Sequence, residues 1–241
     1  MVERRNEDKF IEIYQEICHR RTGESEPLIS LGDALIRINR AEESIRSYEA
    51  ALRLSGSNPK LQIKIGRALI ITHDYSGAIK YYKKSLKRGE NSELRIELAD
   101  LLKKLQRYEE AENILLEGTE HSTKEFSDLN EEAQCFYQLC KMKASFGHKE
   151  SQQEALQLLA RAKAASDMML KKEQTDGGMS DSTKNLAAEI HAMIAHLAAK
   201  GNDLDNAIKF YGKAATFLPN STKANEYKLR LGTVQATIRV L

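Results

Sequence analysis

The chain has 241 residues, with 37 lysines and arginines against 35 aspartates and glutamates and a formal net charge of +2. Both signs are interleaved, so there is no basic stripe of the kind that neutralises phosphates, and nucleic-acid binding is not expected. Three cysteines without CxxC spacing, 41% hydrophobic residues, three prolines and no tryptophan describe a soluble helical protein with reduced thiols and exclude a disulfide framework. The amino terminus lacks the apolar core of a signal peptide and no later run approaches a membrane span, so a cytosolic protein is expected.

Residues 8–20 read as a lone helix in which Tyr14 stands 34 positions before Tyr48. From there a pattern recurs. An apolar–small pair (Leu31-Gly32, Ile65-Gly66, Leu98-Ala99) is followed twelve residues later by a small residue: Ser44, Ala78 and Ala111. Four further on comes a large one (Tyr48, Tyr82, Leu115), and three beyond that a small one again (Ala51, Ser85, Gly118). Steps of 34 and then 33 residues are those of the tetratricopeptide repeat (TPR), a helix–turn–helix unit. Small residues are required where the two helices of a repeat, A and B, cross closely. The large residue, one turn along the same face of B, fills the gap between repeats.

Three pairs follow, over about 26–55, 60–89 and 93–118, with polar turns at Asn39-Arg40, His73-Asp74 and Gln106-Arg107. A fourth, irregular pair takes Leu139-Cys140 for its helix A and Ala155, Leu159 and Ala162 for its helix B, with a longer turn around 147–153. Residues 119–132 are extra to a strict period. The glycines and small polar residues of 174–183 predict a flexible linker, since they bury too little apolar surface to order themselves. A fifth pair has Ile194-Ala195 in helix A, then Ala207, Tyr211 and Ala214, with Pro219 closing the repeat. A final helix carries an apolar stripe, Ala224, Tyr227, Leu231, Val234, Ile238 and Leu241, three and four apart, with no helix after it as cover. The expected organisation is a TPR array over 1–172, a linker at 173–184, and the last pair plus terminal helix over 185–241. The expected fold class is an all-α, right-handed solenoid of antiparallel helix pairs. Both ends read as cut, as in an internal segment of a longer solenoid.

No catalytic residue, cofactor site or metal site is expected. His191 and His196 are five apart, so on a helix they diverge and cannot form the i,i+4 zinc pair. Cys135 and Cys140 diverge likewise, and Cys140 occupies a small-residue slot where a thiol behaves as a small apolar group. Phosphate-loop, dinucleotide and nucleophile-elbow motifs are absent. The expected role is therefore protein binding. Positions three before the small residue of helix A, and one, four and five after it, face the groove of such an array. They are Ile29, Asp33, Ile36 and Arg37; then Ile63, Arg67, Ile70 and Ile71; then Ile96, Asp100, Lys103 and Lys104. Co-chaperone TPR domains grip a terminal carboxylate with a Lys/Asn/Arg clamp at such positions, a role that isoleucines and aspartates do not suit. An isoleucine-lined trough suits an apolar helix or strand from a partner; the alternative is that these isoleucines pack against neighbouring repeats.

Several runs resemble one family in particular, the large TPR-only subunit of the intraflagellar transport A complex. They are Lys9-Phe-Ile-Glu-Ile-Tyr-Gln-Glu16, Leu31-Gly-Asp-Ala-Leu35, Ile71-Thr-His-Asp-Tyr-Ser-Gly-Ala-Ile-Lys-Tyr-Tyr82, Leu186-Ala-Ala-Glu-Ile190 and Asn206-Ala-Ile-Lys-Phe-Tyr211. The similarity covers about residues 8–217 in the same order and spacing, and in 72–82 it extends beyond the packing positions. The resemblance implies a structural subunit of an assembly that carries cargo back from the ciliary tip and admits membrane proteins to the cilium. It also implies WD-repeat and TPR subunits as partners and a place in the cytoplasm, the cilium and the ciliary base. The alternative is a generic cytosolic TPR adaptor that recruits short peptides to an enzyme or chaperone complex.

Overall fold

The computed structural model describes residues 2–87, 91–120, 125–147, 149–175 and 178–240. Among these residues there are twelve α-helices and no strand. They are α1 (Val2–Arg20), α2 (Ser25–Arg37), α3 (Ala41–Ser55), α4 (Pro59–Ile71), α5 (Tyr75–Leu86) and α6 (Ser92–Lys104), then α7 (Tyr108–Glu117), α8 (Phe126–Ser145), α9 (Lys149–Thr175), α10 (Asp181–Lys200), α11 (Leu204–Phe217) and α12 (Thr222–Val240). The chain forms two compact units, Met1–Ala111 and Glu112–Leu241.

In the first unit each helix packs on the next from α1 to α6, and α4 also meets α6. Capping side chains define the starts. Asn58 accepts the Leu61 N–H at 3.2 Å, Asp74 that of Gly77 at 2.8 Å and Asn91 that of Leu94 at 3.1 Å, each satisfying one orphan donor of the first turn. The A-to-B turns are made in one way. Asn39, His73 and Gln106 take φ of 62°, 61° and 60°. The N–H of the residue after each, Arg40, Asp74 and Arg107, then reaches back to the carbonyl of Leu35, Leu69 and Leu102 at 2.8–2.9 Å. This is the Schellman closure, and it lets helix B start after only three connecting residues. The left-handed residue steps by 34 and 33, in phase with the repeat.

The close crossings lie at Gly32 and Gly66. A Cβ on Gly32 would stand 2.9 Å from Cζ of Tyr48 and closer still to its ring carbons, and one on Gly66 would run into the Tyr82 ring. Each tyrosine of helix B therefore packs directly on bare backbone of helix A, with exposures of 2% for Tyr48 and 0% for Tyr82. Tyr48 forms one core cluster with Ala51, Leu61, Ile65 and Ala68, and Ile11 of α1 forms another with Leu31, Ala34 and Leu35 of α2.

In the second unit α8 packs on α9, α9 on α10, α10 on α11 and α11 on α12. Lys143 of α8 ties α7 to α9 through Glu112 at 2.9 Å and Glu154 at 3.1 Å. Asn202 repeats the left-handed turn with φ 61°, and Asp203 caps α11 through the Asn206 N–H at 3.2 Å. The core gathers Ala188, Ala195, Ala207, Tyr211, Ala214, Tyr227 and Val234.

Three features depart from the sequence-based picture. Of the stretch 173–184 read as linker, 173–175 continue α9 and 181–184 open α10, while 176 and 177 lie outside the described residues. The Glu173 carboxylate accepts the Ser180 N–H at 3.0 Å and the Thr183 hydroxyl at 3.1 Å, which fastens the end of α9 to the start of α10. The two compact units divide between Ala111 and Glu112, not at this stretch. Finally, the stripe on α12 is covered over most of its described length by the helix before it: Ala224, Tyr227 and Val234 are buried, and Tyr227, Leu231 and Val234 join the α10–α11 core, while Ile238 stays 39% exposed. Leu241 lies outside the described residues.

Candidate protein-binding surface

Of the residues assigned to repeat packing, Gly32, Ser44, Tyr48, Ala51, Gly66, Ala78, Tyr82, Ala99, Ala111, Ala155, Ala195, Ala207, Tyr211 and Ala214 are all buried, whereas Pro219 is exposed. The groove residues divide by role. Asp33 accepts the Tyr48 hydroxyl at 2.6 Å and the Lys64 ammonium at 2.5 Å, and Lys64 also sits 5.7 Å above the Tyr48 ring centre. Partial burial pushes the Asp33 carboxyl up, but the hydrogen bonds from Lys64 and Tyr48 and the charges of Lys64 and Arg37 outweigh it and hold it below the usual carboxylate range. On the other side of that bond, burial and then the Asp33 carboxylate push the Tyr48 phenol well above its ordinary value.

Arg67 makes a two-pronged bridge to Glu97, at 2.5 Å and 3.3 Å, joining α4 to α6. The two bridges share one register with their signs reversed. The residue one after the small position of helix A reaches the residue two before the next small position. Lys64 and Glu97, the far ends of these bridges, are absent from the sequence-derived groove. The signal that identifies them is opposite charge at those two register positions in successive repeats. Asp100 bonds Lys103 within α6 at 2.5 Å.

The isoleucines do not form an open trough. Ile63 is buried, and Ile29 and Ile36 pack against the cluster around Tyr48. Ile70 and Ile96 are half-buried. The geometry thus gives Ile29, Ile36 and Ile63 to packing within the array. Ile71 is different, at 44% exposed. It lines a cleft of about 410 Å³ between α4 and α6 together with Arg67, Ile70, Glu97, Asp100 and Lys104. A second cleft, of about 510 Å³, lies on the B-helix side, between Glu49, Leu52 and Arg53 of α3 and Tyr81 and Lys84 of α5. Nothing in the repeat register singles out that second cleft.

The candidate reactive groups sit in packing positions. His191 is buried, with Nδ1 2.8 Å from the Ala187 carbonyl and its ring 5.8 Å and 5.3 Å from those of Phe210 and Phe217. Burial lowers its pKa. Cys135 and Cys140 are buried free thiols, and burial pushes Cys140 up to about 12. Among the described residues no helix is long and apolar enough to cross a membrane.

Helix pairs closed by one repeated turn, crossing on glycine and alanine and leaving a charged groove between A helices, define a tetratricopeptide-repeat protein, a class that presents its surface to other proteins. A tetratricopeptide-repeat family model matches residues 25–58, and the model described as the fourth ARM domain of tetratricopeptide repeat protein 21 matches residues 61–215. The chain belongs to the tetratricopeptide repeat protein 21 family. It is 36% identical to human tetratricopeptide repeat protein 21B over 91% of its own length and 17% of that protein's. It is 33% identical to mouse tetratricopeptide repeat protein 21A over 89% of its own length and 16% of that one's. The chain thus spans about one sixth of the curated relatives it matches.

Proposed function

We propose that this chain is a non-enzymatic scaffold, a structural part of a ciliary intraflagellar transport assembly that docks other subunits or cargo through its repeat surfaces. The observation that carries this reading is the similarity to tetratricopeptide repeat protein 21 along 91% of the chain. The resembling run 71–82 supports it further, because it includes Tyr75, Ser76 and Lys80, which are exposed and which core packing does not require. The docking face on this reading is the groove of the first unit, with Asp33, Arg37, Arg67, Ile70, Ile71 and Asp100 in its wall and Ile29, Ile36, Ile63 and Ile96 shaping it from beneath. Partners are other proteins, WD-repeat and TPR subunits foremost, and the place of action is the cytoplasm, the cilium and the ciliary base.

The test is affinity capture with a tagged chain from ciliated cells and from the same cells before ciliation. The expected result is recovery of several large WD-repeat proteins in the ciliated sample, reduced by Arg67→Glu/Ile71→Asp. Recovery of none of them from either sample overturns the ciliary reading.

A further inference from the structure

We infer that the groove of the first unit takes an extended acidic peptide in which an aliphatic side chain lies between two carboxylates, each three residues away. This deepens the proposed docking role of that groove and rests on it. The charges of the A helices are largely used up within the protein. Asp33 is taken by Lys64 and Tyr48, Arg67 by Glu97, and Asp100 by Lys103. One register position escapes, five after the small residue of each helix A, where Arg37, Ile71 and Lys104 stand in successive repeats. All three are exposed, and neither Arg37 nor Lys104 has an ion pair or hydrogen bond among the described residues, although the charge of Arg37 acts on Asp33 one turn away. The column therefore reads cation, aliphatic, cation.

Ile71 and Lys104 line the same cleft, and Arg37 precedes Ile71 by one repeat as Ile71 precedes Lys104. α4 and α6 pack on each other, packed helices lie about 8–10 Å apart and an extended chain advances about 3.3 Å per residue, so this step corresponds to about three peptide residues. The Asp33–Lys64 bridge joins α2 to α4 in the register in which Arg67–Glu97 joins α4 to α6, which gives the step from Arg37 to Ile71 the same length. A cleft of about 410 Å³ has room for a few side chains, which an extended segment can supply from alternate positions. The sign of the ligand follows from what is left free. The groove-facing carboxylates of the A helices, Asp33, Glu97 and Asp100, already have partners, while two cations flank the exposed isoleucine, so along this column a basic peptide meets repulsion at both ends and an acidic one meets attraction.

The experiment is fluorescence anisotropy on the 241-residue chain with dye-labelled Asp-Gly-Ser-Leu-Gly-Ser-Asp, its carboxy terminus amidated so that only side-chain acids can bind. The same peptide with both acids changed to lysine is the comparison. The wild type should bind the acidic form at least about tenfold more tightly, with the preference shrinking as salt rises. The charge-reversed variant Arg37→Glu/Lys104→Glu, checked for unchanged helicity, should prefer the basic form, and Ile71→Asp should lose both. Equal binding of the two peptides by the wild type, no binding of the acidic one, or an unreversed preference in the double variant overturns the inference. Because the assay uses purified components, its failure leaves capture from ciliated cells standing, and failed capture leaves the peptide preference standing.

Discussion

Replacing Gly66 by alanine separates two effects that usually act together. In a helix interior alanine is better than glycine by about 1 kcal/mol, from backbone entropy alone. Against this, the new Cβ overlaps Cζ, Cε1 and the hydroxyl oxygen of Tyr82, well inside the optimal carbon–carbon separation of about 3.5–4.0 Å. Tyr82 is 0% exposed, and its hydroxyl lies 3.4 Å from the Ile63 carbonyl, so the ring cannot move aside without opening a void or shifting α5. Overpacking of this kind costs about 1–3 kcal/mol, which leaves Gly66→Ala destabilising by up to about 2 kcal/mol once the propensity gain is subtracted. Gly212 and Gly232 are the controls. Both lie in helices with nothing within 4 Å of an added Cβ, and alanine there should stabilise by about 0.5–1 kcal/mol. The third repeat pairs alanine (Ala99) with leucine (Leu115) at the equivalent positions, so Gly66→Ala/Tyr82→Leu should lose less than the two single changes summed, by on the order of 1 kcal/mol. Urea unfolding followed by circular dichroism measures all of these. If Gly66→Ala gains as much as Gly212→Ala, the tyrosine-on-glycine crossing is not what holds the repeat together.

Two pH effects follow from buried and bridged groups. Burial depresses the folded-state pKa of His191, so below about pH 6.5, its unfolded value, the unfolded chain takes up the proton first and stability falls with acidification. His191→Phe should flatten the melting temperature between about pH 7 and pH 5, and an unaltered slope would assign it elsewhere. Asp33, whose folded pKa is lowered despite partial burial, contributes stability above about pH 4 that is lost as pH falls through the folded value. The penalty of Asp33→Asn, seen as a drop in melting temperature at neutral pH, should therefore fade in strong acid, and a penalty that persists there would mean that packing and not charge is lost. With its pKa pushed up to about 12, Cys140 should stay unreactive toward a disulfide reagent at neutral pH until the protein unfolds; modification in native buffer, read by mass spectrometry, would contradict its burial.

Much of the fold is legible residue by residue. Gly32, Gly66, Tyr48 and Tyr82 can be picked out because a close crossing needs a small residue on one helix and a large one at fixed spacing on the next, which is a local requirement. The turns are legible only as polar. That His73 and Gln106 adopt left-handed φ has no composition signal, since the motif more often uses glycine there. In the stretch 173–184, read as linker from its glycines and small polar residues, Glu173 and the Ser180 cap extend order to both sides of 176 and 177 through bonds that composition does not announce. In the groove, counting register placed Ile63 and Ile71 on one wall, yet one is 8% and the other 44% exposed. Facing a groove and being reachable in it are different properties.

Helix pairing, repeat length and the crossing residues are written along the chain, because helices form and cross according to spacings of three, four and about 34 residues, each within one repeat or between neighbours. Tertiary packing alone settled which charges are spent and which remain. Asp33 finds Lys64 and Arg67 finds Glu97 across 31 and 30 residues, Arg37 and Lys104 are left without a bond among the described residues, and α11 claims Tyr227, Leu231 and Val234 of the stripe on α12. The physical reason is distance. A Coulombic or apolar contact depends on how far apart two side chains stand once separate helices have packed, and no period in a linear sequence encodes that separation.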